Sequence, residues 1–195
     1  GNLHKLAIES AKLKADKKNL TDTQLALLFR EMGLRHSAMV SVMYYKHMKY
    51  NKRADATPQS YLPLATVMLN ANNNIWDKDE NRQLLDYSPG RLSLSGRAYR
   101  KLRTEGGYGL NILAPLQINE LDLSHTAFFE FVQLSGLRIS KINLAGCKVN
   151  HIDKPRCLLL KQLGVSTVVY DSRFLQQDEI ALLKKHFSTE NIAPE

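Results

Sequence analysis

Ile118–Asn119–Glu120–Leu121–Asp122–Leu123–Ser124–His125–Thr126 is answered further on by Ile139–Ser140–Lys141–Ile142–Asn143–Leu144–Ala145–Gly146–Cys147, and again, at the same interval, by Leu160–Lys161–Gln162–Leu163–Gly164–Val165–Ser166–Thr167–Val168. Apolar residues recur at the same places in each passage. The register continues between them, pairing Leu113 with Leu134, and Leu116 with Leu137 and Leu158. A period of roughly 20 to 50 residues implies stacked units that each bury an apolar edge against their neighbours.

Upstream, Arg91–Leu92–Ser93–Leu94–Ser95–Gly96 alternates as a strand does and is similar to Leu121–Asp122–Leu123–Ser124, although it stands more than one interval ahead of it. It reads as a first, degenerate unit, with an insertion that includes the loop Thr104–Gly109. Residues 1–87 read as helices instead. Thr21 and Gln24 form a capping box for a helix carrying Leu25, Leu28, Phe29 and Met32, with Gly33 as its stop. Further helices are expected over Ser37–Tyr50, Ser60–Leu69 and Asp77–Tyr87, with Asn51–Gln59 as a loop. Downstream, Asp178–His186 predicts an amphipathic helix that caps the stack, and Asn191–Ile192 a short edge segment.

The pattern Leu121-x-Leu123-x-x-Thr126 and Ile142-x-Leu144-x-x-Cys147, each with an isoleucine three places ahead, resembles the leucine-rich repeat in its short bacterial variety. The resemblance covers 113–170 and, loosely, 91–112. It implies an α+β chain: a helical region over 1–87 packed on a repeat solenoid over 88–195, closed by a C-terminal helix. It also implies non-catalytic protein binding, commonly through the concave sheet. The outward residues there would be Arg91, Ser93, Ser95, Glu120, Asp122, Ser124, Lys141, Asn143, Ala145, Gln162, Gly164 and Ser166. Similar repeats occur as segments of larger bacterial proteins, and no kinase motif is visible here.

Formal charge is +8, spread evenly: residues 1–90 hold 13 Lys and Arg against 9 acids, and 91–195 hold 14 against 10. No apolar run reaches the roughly 20 residues of a membrane span. Two cysteines, Cys147 and Cys157, exclude a disulfide framework and a four-cysteine zinc site. Gly1 reads as a processed terminus, so a signal peptide or upstream domain is expected to have been removed. Compartment is left open.

No enzyme can be assembled from these residues. Asp77-x-Asp79-x-Asn81 begins like a calcium loop, but Arg82 takes the glycine position and Ser88 the glutamate position. The six histidines lack metal spacing, and Ser124 and His125 are strand neighbours that point apart, which leaves His125 as a turn or surface residue. No cofactor is predicted.

Two partner surfaces are open. Concave recognition would use Glu120, Asp122 and Asn143, yet no aromatic lies among the outward residues, whereas binding hot spots favour Trp, Tyr and Arg. Arg97, Tyr99, Arg100 and Tyr108, with Tyr44, Tyr45 and Tyr50, gather where the helices meet the first unit, so a protein partner is expected at that junction; the same tyrosines also suit a role as glue. The alternative function is nucleic-acid binding by segment 35–53, where Lys46, Lys49, Lys52 and Arg53 interleave with tyrosines. Those lysines equally suit a solvated helix face.

Overall fold

Leu92, Leu121, Ile142 and Val168 stand side by side in four parallel strands, all sealed from solvent. The computed structural model describes residues 21–31, 48, 57–75, 83–104, 110–149 and 151–192. Its strands are β1 (Asp86–Ser88), β2 (Arg91–Ser93), β3 (Glu120–Asp122), β4 (Lys141–Asn143), β5 (Thr167–Tyr170) and β6 (Ser188–Asn191). They form one open sheet in chain order; β1 and β2 are an antiparallel hairpin and every later pair is parallel. With four α-helices among the described residues, the fold is mixed α/β.

Parallel neighbours require a crossover behind the sheet. After β2 and β3 the return contains a 3-10 turn, Ala114–Leu116 and Phe131–Leu134; after β4 and β5 it contains a helix, α3 (Lys154–Gln162) and α4 (Gln177–His186). The returns add Leu113, Leu116, Leu134, Leu137, Leu160 and Leu163 to the same buried core. Each such aliphatic contributes about 1.5–3 kcal/mol by leaving water. Past the strands the ladder continues, Leu94 N–H to Asp122 O at 2.8 Å and Leu123 N–H to Asn143 O at 2.9 Å. The chain then turns through a left-handed residue at one recurring place: Gly96, His125 and Gly146, with φ of 72°, 54° and 71°.

The helices α1 (Asp22–Glu31) and α2 (Pro58–Asn72) pack together and close one end of the same continuous core. Thr21 and Gln24 form the predicted reciprocal cap on α1, at 2.9 and 3.2 Å. Tyr61, fully buried on α2, donates its hydroxyl to Ile112 O at 2.7 Å, tying the helix to the first return. Residues 1–20 of the expected helical region, and the helix expected over 37–50, lie outside the described residues, apart from Met48.

Four expectations are corrected. The third passage is not a strand: Leu160 and Gln162 end α3, Gly164 turns the chain at φ 90°, and the strand is Thr167–Tyr170. Gln162, Gly164 and Ser166 therefore precede the strand, and the sheet-facing residues there are Thr167 and Val169. The helix expected over 178–186 forms, as α4, but it does not close the sheet: the edge segment expected at 191–192 begins earlier, as β6 (Ser188–Asn191), and pairs with β5. Within the segment read as a helix over 77–87, Asp86–Tyr87 belong to β1; Ser88–Pro89–Gly90 closes a hairpin, with Gly90 at φ 81°. Pro58 is not in a loop. It is the first residue of α2, where its missing N–H costs nothing, and Thr57 and Ser60 cap it reciprocally at 3.0 and 3.1 Å.

Candidate functional site

Because side chains alternate across a strand, burying Leu92, Leu121, Ile142 and Val168 turns their neighbours outward. Two rows result on the other face of the sheet: Arg91, Glu120, Lys141, Thr167 and Ser188, and Ser93, Asp122, Asn143, Val169 and Glu190, all open to solvent in full or in part except Val169, which is buried. The structure thus brings together Glu120, Asp122 and Asn143, three of the residues picked out in the sequence.

The second row is held by local hydrogen bonds. Ser93 Oγ accepts from Ser95 N–H at 3.3 Å, Asp122 Oδ1 from Ser124 N–H at 2.9 Å, and Asn143 Oδ1 from Ala145 N–H at 3.0 Å. These are the turns that short polar side chains make with the backbone two residues on. Ser93 also donates to Asp122 Oδ2 at 3.4 Å, and Lys141 Nζ bridges to Glu190 at 2.8 Å. Glu120 is exposed and has no ion pair among the described residues. The Asn143 oxygen is taken by the Ala145 N–H, which leaves the amide nitrogen as that side chain's donor group. The face therefore carries carboxylates at 120 and 122, the second held by hydrogen bonds, beside an amide donor at 143.

The junction residues are placed differently. Tyr99 has no exposed surface; its hydroxyl donates to Asn70 Oδ1 at 2.6 Å, so it is glue between α2 and the first unit. Arg97 bonds the Leu84 carbonyl at 3.2 Å and lies 5.9 Å over the Tyr99 ring. Arg100 is exposed, with its backbone N–H held by Asn73 Oδ1 at 2.6 Å. Tyr108, Tyr44, Tyr45 and Tyr50, and the basic set Lys46, Lys49, Lys52 and Arg53, lie outside the described residues. The described junction has lost its aromatic anchor to the core.

Other polar groups have structural roles. Cys147 is buried, its thiol donating to Leu123 O at 2.8 Å beside Thr126 Oγ1 at 3.5 Å, and burial pushes its pKa up. Cys157 is buried and raised for the same reason. His125 is exposed at its left-handed corner, and its imidazole lies against Gly146 so closely that a Cβ there would run into the ring. Glu179, also buried, accepts from Ile152 N–H at 2.6 Å and Gln176 N–H at 2.7 Å and meets His151 Nδ1 at 2.8 Å. Nothing in the sequence flagged the Glu179 network, since its partners include backbone groups brought in by the fold. Among the described residues no three His, Cys, Asp or Glu side chains converge as a metal ligand set.

Comparison with protein-family models, curated proteins and solved structures returns no match.

Proposed function

We propose that this chain is a non-catalytic protein-binding module, a short leucine-rich-repeat solenoid with an integral helical end, and that its partner docks on the solvent face of the parallel sheet. The observation that carries this reading is the in-register pairing of Arg91, Glu120 and Lys141, and of Ser93, Asp122 and Asn143, which repeats one polar position across successive strands. A row of this kind matches a partner at intervals of about 4.8 Å, the spacing between strands. The leucine-rich-repeat resemblance of 113–170 favours the same face.

Hydrogen-bonded and charged groups on such a face favour specificity more than bulk affinity. A pull-down with the chain as bait tests the reading. The expected result is a partner whose capture falls by about tenfold or more when Glu120, Asp122 and Asn143 are changed together to Lys, and is unaffected by Arg100→Ala. Equal capture by the charge-reversed bait, with loss on Arg100→Ala, would return the interface to the junction.

A further inference from the structure

Lys154, Leu158 and Lys161 follow one another at helical spacing, so they share one face of α3. That face is turned away from the core, because Cys157 and Leu160 are the buried residues of the helix. Leu158 is 49 % exposed, and Val132, on the 3-10 turn that packs against α3, is 56 % exposed. From α4, which also packs against α3, Lys185 and His186 join the group. No ion pair holds Lys154, Lys161 or Lys185 among the described residues, and Asp153 is taken by Arg156 at 2.7 Å.

The helix ends explain part of this charge. Lys161 and Lys185 stand at helix C-termini, where the macrodipole favours cations. Lys154 stands at the first position of α3, where the dipole opposes it, and it still adds to the cluster. We infer that the α3–α4 surface is a peripheral docking face for an anionic lipid bilayer, with Lys154, Lys161 and Lys185 set against headgroups and Leu158 and Val132 entering the acyl boundary.

Three features favour a bilayer over other polyanions. The cations are ammonium groups, point charges suited to a diffuse surface potential; the one guanidinium on α3, Arg156, is occupied. No Trp, Tyr or Phe lies among these residues to stack on bases. Leu158 stands between Lys154 and Lys161, with exposed Val132 on the turn packed against the same helix, and apolar residues beside cations are the composition of a surface that lies in the membrane interface. This face is separate from the sheet rows, so both surfaces can be engaged at once.

Co-sedimentation with phosphatidylcholine vesicles, with and without phosphatidylserine, tests the assignment. The chain is expected to bind the anionic vesicles, to ignore the neutral ones and to be released by high salt. Each lysine neutralised weakens binding about fivefold, so the combined K154Q, K161Q and K185Q variant loses about a hundredfold. Leu158→Asn loses about tenfold without any change of charge. His186 gives a readout on the unmodified chain. Burial, then Lys161, Lys185 and Lys154, hold its imidazole below the usual histidine value, and anionic vesicles should raise its NMR titration midpoint. Equal binding to neutral vesicles, an unchanged His186 midpoint, or full binding by either variant would overturn the proposal. So would capture of duplex DNA or polyglutamate, and not vesicles, by the same lysines.

Discussion

At the corner after β4, Gly146 combines a positive φ with the pressure of the His125 ring, so its lack of a side chain is required twice. Gly146→Ala should cost about 1–3 kcal/mol in urea unfolding, part of it from backbone strain and part from collision. Made in a His125→Ala background, the same change should cost less, because only the strain remains; strictly additive costs would show that the ring yields freely. A second residue-level expectation concerns Asp171, which is buried and held below the usual carboxylate range chiefly by the side-chain hydrogen bonds of Arg173, at 2.6 to 3.1 Å. A depressed carboxylate contributes stability above its unfolded pKa of about 3.9, and loses it as pH falls through the lower folded value. Arg173→Ala should therefore destabilise the chain at neutral pH, with the gap to the parent narrowing below pH ~4. A gap that stays constant down through that range would contradict the assignment.

At the scale of elements, α3 decides how much the sequence could reveal. A shorter frame carries Leu137 and Ile139 onto Leu158 and Leu160, while a longer one carries Leu134, Leu137 and Ile139 onto Leu160, Leu163 and Val165. Both place apolar on apolar, so periodicity alone could not choose. The structure takes the longer one, pairing Ile142 with Val168, because Asp153 caps a true helix that consumes more chain than the 3-10 turn of the preceding return. Under the shorter frame Leu158 is core; in the structure it is half exposed, and Leu163 is the buried residue. Leu163→Ala should then cost about 2–5 kcal/mol, while Leu158→Ala should stay within about 0.5 kcal/mol. The reverse order would restore the shorter register. The strands at 91, 120 and 141 were legible because alternation and spacing agree there. For Tyr99 the sequence left glue and interface both open, because its partner Asn70 is distant in sequence and the two meet only when α2 docks.

For the whole molecule, the helical end is bonded to the sheet region by more than apolar contact. Asn73 alone donates to Lys101 O at 2.9 Å and accepts from the N–H groups of Arg100 and Lys101 at 2.6 and 2.8 Å, and Asn72 donates to Arg103 O at 2.7 Å. Removing residues 1–87 would leave these backbone groups unanswered and expose the first unit, so the remainder should fail to melt cooperatively; a soluble fragment with a sharp transition would show that the sheet region stands by itself. The unequal crossovers carry one more consequence. Leu92, Leu121, Ile142, Val168 and Thr189 are spaced unevenly along the chain, yet each is paired with the next across one sheet. Chain length behind the sheet is therefore uncoupled from the phase of the side chains in front. Foreign peptides spliced in after Lys148 would ride on the back of the molecule as cargo, leaving both polar rows aligned, whereas one residue inserted at Ile142 would put every later side chain of that strand on the wrong side.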